Sequence, residues 1–157
     1  MEKILSNEDC EFIINHIENN EWECIDRYGK YDQTFIDIPF IENKIKTFFG
    51  NELKEKPIMK VLKFSEGDHI PTFSADYSNM SDDYYKKYVN TNFIVQIYLN
   101  DDFKGGLLNH LKTTYNPKVG YGIIQKKTDK CSISKIKENN CYMLFMFIYN
   151  IKQTSLL

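Results

Sequence analysis

From residue 57 onward the chain breaks into short apolar segments. "PIMKVLKF", "NTNFIVQIYLN", "GGLLNHLK", "KVGYGII", "CSISKI" and "CYMLFMFIYN" follow one another, separated by Gly, Asn, Asp or Pro. Each is rich in β-branched and aromatic residues, whose shape suits a pleated surface, and each is bounded by residues that favour a turn. About five to seven strands in close succession predict a sandwich or jelly roll. "SDDYYKKYV" interrupts them and predicts a short helix capped by Ser81.

The first third of the chain carries a different period. Ser6 and Asp9 stand at capping-box spacing, the hydroxyl accepting from a free backbone N–H and the acid favouring the positive helix end. Cys10, Ile13, Ile14 and Ile17 then repeat at helical spacing, which predicts a helix over about residues 7–20. Ile41, Ile45, Phe48 and Phe49 predict a second helix stopped by Gly50, and the stretch around "DRYGKYDQ" between them reads as turn. His16 falls on the polar side of the first stripe and reads as a solvent-facing residue. The expected architecture is one α+β domain over residues 1–157, with helices within about 7–50 and strands within about 57–150.

Composition narrows the function. Twenty basic and 22 acidic residues, interspersed, leave a net charge of −2 and no basic stripe to track phosphates, so nucleic acid is not expected as a partner. The apolar run around "CYMLFMFIY" is too short to cross a bilayer as a helix, so no membrane partner is expected either. Eleven Tyr and 11 Phe beside a single Trp fit an aromatic-filled β core. Cys10, Cys24, Cys131 and Cys141 form no CxxC pair, and no secretory leader precedes them. They read as reduced thiols in a cytoplasmic setting.

Several stretches together resemble a known family. "ILSNEDCEFII", "VLKFSEGDHI", "TNFIVQIYLNDDFKGGLL" and "NPKVGYGII", in this order, are similar to the Fe(II) and 2-oxoglutarate dependent dioxygenases of the prolyl 4-hydroxylase type. The similarity covers about residues 3–149, and its most specific piece is "IYLNDDFKGG", a strand, an acidic turn and a Gly pair. It implies N-terminal helices packed on a double-stranded β-helix, which is a jelly roll. It also implies an HxD pair and a later histidine that hold Fe(II) by one triangular face, leaving positions for 2-oxoglutarate and oxygen. A Lys or Arg about ten residues beyond that histidine pairs with the distal carboxylate of 2-oxoglutarate in the family.

Carried onto this sequence, the HxD pair becomes Ser74, Ala75 and Asp76, the late histidine falls at Cys131, and the basic residue at Cys141. Only the carboxylate remains. A neutral hydroxyl and a thiol in place of two imidazoles remove most of the affinity for a ferrous ion. The first expectation is therefore an inactive shell with no cofactor, whose vestigial pocket holds Ser74, Asp76, Cys131 and Cys141. It would act as a protein-binding or regulatory module in a cytoplasm, that of a host if the source is viral. Viral prolyl hydroxylase relatives with eroded motifs belong to what the resemblance implies, and heavy use of Lys, Asn and Ile fits an AT-rich genome.

A second expectation keeps the chemistry. It is an active Fe(II)/2-oxoglutarate dioxygenase acting on a peptide or protein, with Asp76, His69, His110 and Cys131 as the pool of metal ligands and Lys126, Lys127 or Lys135 as co-substrate anchor. In a third, the domain is a structural component of an assembly. Tyr84 and Tyr85 are then the expected protein-partner surface, since Tyr is enriched where proteins meet.

Overall fold

The computed structural model describes residues 1–49, 55–74, 76 and 83–149, with only the backbone of Tyr84. In chain order the elements are β1 (Glu2–Lys3), α1 (Asn7–His16), β2 (Glu23–Asp26), β3 (Lys30–Ile36), α2 (Pro39–Phe48), β4 (Ile58–Phe64) and β5 (Ile70–Ser74). A 3-10 turn (Asp83–Tyr88) leads to β6 (Phe93–Tyr98), β7 (Lys104–Gly105), β8 (Leu108–His110), β9 (Thr113–Tyr115), β10 (Tyr121–Lys126), β11 (Lys130–Ile133), β12 (Ile136–Glu138) and β13 (Cys141–Ile148). The strands form a seven-stranded sheet in the order β1-β10-β6-β13-β4-β3-β2, a four-stranded sheet in the order β5-β11-β8-β9, and the pair β12-β7. Every strand pair is antiparallel.

Alternation along the central strands separates two cores. Val61 of β4, Val95 and Ile97 of β6 and Leu144 and Met146 of β13 share a buried cluster with Cys10 and Ile13 of α1 and Ile41 and Ile45 of α2. The residues of opposite phase, Leu62 and Phe64, Ile94 and Tyr98, and Met143, Phe145 and Phe147, share a second cluster with Ile70, Leu108, Cys131 and Ile133 of the four-stranded sheet. Both faces of the larger sheet are thus covered, which is why β6 and β13 read as near-continuous apolar runs. Full burial of each aliphatic side chain contributes about 1.5–3 kcal/mol.

Local signals in the sequence find their partners. Ser6 caps α1, its Oγ accepting from Asp9 N–H at 3.1 Å while Asp9 Oδ2 accepts from Ser6 N–H at 3.0 Å. Lys44 of α2 pairs with the same Asp9 and so ties the two helices. The acid's pKa is lowered although burial alone would raise it, because the Lys44 and Ser6 hydrogen bonds outweigh desolvation. In the Gly pair after the acidic turn, Gly105 has φ 84° and a Cβ there would lie 2.2 Å from Lys135 O, so only glycine lets β7 approach β12.

Two expectations need correction. The first helix ends at His16, with Ile17 as its cap, rather than near residue 20, because Asn19 and Asn20 are poor helix formers. The second helix falls where expected and begins at Pro39, whose fixed φ suits the first helical turn. The stretch around "DRYGKYDQ" is the bend of a β2–β3 hairpin that extends the larger sheet between the two helices, so strands do not wait until residue 57. The short helix expected over "SDDYYKKYV" is present in 3-10 form over Asp83–Tyr88; Ser81 and Gly50 lie outside the described residues.

Candidate functional site

A cavity of about 220 Å³ opens between the sheets, walled by β4, β5, β13, the β2–β3 hairpin and the 3-10 turn. Pro71 is admitted in β5 because that strand is the edge of its sheet. The strand ends at Ser74, and both Ser74 and Asp76 line the cavity. Tyr28 and Tyr31 reach in from the hairpin, Phe145 and Phe147 from β13, and Tyr85 and Tyr88 from the 3-10 turn.

Lys60 supplies the cavity's buried charge. It shares a phase with Leu62 and Phe64, which turns its side chain away from the helices and leaves the residue 3% exposed. Its Nζ donates to Gln33 Oε1 at 2.8 Å, and the rings of Tyr88, Phe147, Tyr31 and Phe35 stand 5.0, 5.3, 5.9 and 6.0 Å away. Burial, aided by the Lys87 charge and opposed by Glu23, pushes the amine down to about 7.

Of the positions that the resemblance marks, Ser74 and Cys131 lie on the neighbouring strands β5 and β11, and Cys141 lies on β13 of the larger sheet. Cys131 of β11 is in register with Phe73 of β5, next to Ser74, and with His110 of β8. It is 2% exposed, and its Sγ accepts from Gln96 Nε2 at 3.5 Å. Gln96 Nε2 also donates to Gln125 Oε1 at 2.7 Å, and Gln125 Nε2 to Asp129 O at 3.1 Å, a polar chain across the sandwich interior. Burial pushes the Cys131 thiol up to about 12. Cys141 opens β13 opposite Phe64 and is fully buried, and burial alone drives its thiol far above the ordinary range.

The other proposed ligands are held apart. His110 Nε2 lies 2.9 Å from Asp129 Oδ2, and the same oxygen accepts from Lys126 N–H at 3.0 Å, so this pair braces the β10–β11 turn. His69 exchanges backbone hydrogen bonds with Lys30 beside the hairpin. Asp76 is exposed at the rim, 3.8 Å from Lys127 Nζ. Among the described residues, no three His, Cys, Asp or Glu side chains gather where they could hold a metal ion. The ferrous centre that the resemblance implies needs a face of two histidines and a carboxylate with deprotonated donors. A serine hydroxyl, a thiol held protonated and two histidines set elsewhere do not fit it.

Tyr85, expected on a partner surface, is 7% exposed and stacks edge-on against Tyr28 at 5.6 Å, inside the cavity wall. The side chain of Tyr84 lies outside the described residues. The sequence reading missed Lys60, Gln33 and the Gln96–Gln125 chain. Lys60 carried a usable signal, a cation in step with the apolar Ile58, Leu62 and Phe64.

No family model and no curated protein matches the chain. Solved structures do. A Pseudomonas putida prolyl-4-hydroxylase aligns over 97% of this chain and 91% of its own, with TM-score 0.72 and 10% identity. The viral collagen prolyl hydroxylase of Paramecium Bursaria Chlorella virus-1 aligns over 94% and 93%, with TM-score 0.67 and 18% identity. A 2OG-Fe(II) oxygenase family oxidoreductase from Burkholderia pseudomallei aligns over 90% and 79%, with TM-score 0.68 and 13% identity. By fold, the chain stands with the prolyl hydroxylases and 2-oxoglutarate/Fe(II) oxygenases that its sequence resembles.

Proposed function

We propose that this protein keeps the prolyl 4-hydroxylase fold without its oxygenase chemistry and works as a protein-binding or regulatory module. The sandwich is then a double-stranded β-helix with α1 and α2 packed on its outer face. The observation that carries the reading is the state of the side chains at the ligand positions. Ser74 is neutral, the Cys131 thiol is buried on Gln96 with its pKa near 12, and Cys141 offers a co-substrate no cation. An imidazole pair would present lone pairs at neutral pH, whereas Cys131 would have to lose a proton that burial strongly favours.

Four free cysteines support a reducing, cytoplasmic setting, and a net charge of −2 supports a protein rather than a nucleic acid as partner. No described helix is long and apolar enough to cross a membrane.

Incubation with Fe(II), ascorbate, 2-oxoglutarate and a Pro-rich peptide, followed by succinate measurement, tests the reading. Succinate is expected to stay at the level of the protein-free control. Formation above that level, with or without peptide, would overturn the proposal.

A further inference from the structure

We propose that the cavity around Lys60 is a binding site for a small carboxylic acid with a flat apolar body. The anchor is an amine on β4, remote in sequence from Cys141, and the inference does not depend on whether the protein turns over 2-oxoglutarate.

Lys60 donates to a neutral amide, and no carboxylate of the described residues pairs with it. A buried cation with a single neutral partner leaves donor capacity that a carboxylate satisfies with a charge-assisted hydrogen bond. A second cation reinforces the preference. Lys87 Nζ stands 4.3 Å from the centre of the Phe35 ring and 5.7 Å from that of Tyr88, two of the rings that surround Lys60.

The rest of the cavity fixes the body of the ligand. Tyr28, Tyr85, Phe73 and Phe145 offer ring faces and edges, which hold planar apolar groups by offset or edge-on contact. At about 220 Å³ the space is smaller than the roughly 300–1,000 Å³ of drug-sized sites, so it suits one ring rather than several.

Binding has a defined pH dependence, because the carboxylate needs the ammonium form of Lys60. The charged or titratable groups around the amine are Tyr31, Glu23, Lys87, Tyr85, Tyr88 and Asp76. With the free amine at about 7, affinity is full at pH 6 and about tenfold weaker at pH 8.

Calorimetric titration with benzoate and, separately, with 2-oxoglutarate, both in EDTA, tests the site. Benzoate is expected to bind, to weaken from pH 6 to pH 8 as stated, and to outcompete 2-oxoglutarate. Lys60→Met is expected to abolish benzoate binding. In the wild type, the NMR titration of the Lys60 Cε resonance gives a readout independent of that variant, and benzoate is expected to move its midpoint upward. Absent benzoate binding, unchanged binding in Lys60→Met, an unmoved midpoint, or tighter binding of 2-oxoglutarate would each overturn the proposal. Succinate production would contradict the inactive shell and leave these outcomes unaffected, so the two ideas fail separately.

Discussion

Replacing Cys141 with arginine is expected to cost about 4 kcal/mol of stability and to confer no uptake of 2-oxoglutarate. The substitution writes the family's anchoring cation back at the position that the resemblance marks. The surroundings no longer accept it. Cys141 is fully buried opposite Phe64, in a cluster with Leu62, Tyr98 and Met143, and burial is the whole cause of its raised thiol pKa. An uncompensated buried charge costs about 3–5 kcal/mol, and overpacking a filled core adds about 1–3 kcal/mol unless the chain relaxes around it. Cys141→Val, which conserves apolar character at similar volume, is expected to fall within about 1.5 kcal/mol of the wild type. Urea unfolding of both variants checks the pair. An arginine variant as stable as the valine variant would mean that the interior still holds room and a counter-charge for a cation.

The second large effect is a pH dependence carried by one amine. Lys60 has a folded pKa of about 7 against an unfolded value near 10.5. The unfolded chain therefore binds the extra proton, and stability rises with pH across that window. The penalty is full below about pH 6 and fades as pH climbs from 7 toward 10.5. Relative to Lys60→Met, in which this titration is absent, the wild type is expected to gain about 2 kcal/mol between pH 7 and pH 9. Comparing the two proteins at each pH cancels the titration of every other group, and also the constant cost of leaving Gln33 without the amine. Parallel stability curves would place Lys60 in a solvated or charge-paired environment and contradict the cavity described above.

Much of this molecule was legible in its sequence, for identifiable reasons. Ser6 and Asp9 signal the start of α1 because capping is local chemistry, satisfied within three residues. β13 is legible because a strand buried on both faces must be apolar throughout, as "CYMLFMFI" is. The β2–β3 hairpin was hidden because its outer strand is an edge: in "ECID" only Ile25 is buried, so no alternation survives. Tyr85 was misplaced because neighbouring polar residues imply exposure, whereas the 3-10 turn rolls that ring inward onto Tyr28. His110 and Asp129 are 19 residues apart, and only the register of β8 with β11 reveals that they meet. Lys60 shows the limit most clearly. Its phase was readable, but its partner Gln33 and its ring of aromatics come from β3, β13 and the 3-10 turn, whose convergence is a property of the fold.

Iron stoichiometry tests the central claim most directly. The protein would be loaded anaerobically with excess Fe(II), desalted, and its bound iron measured by mass spectrometry beside an active prolyl 4-hydroxylase treated identically. Iron at the level of the buffer blank is expected. One equivalent retained per chain, and lost in Asp76→Ala, would show that these strands still assemble a metal centre.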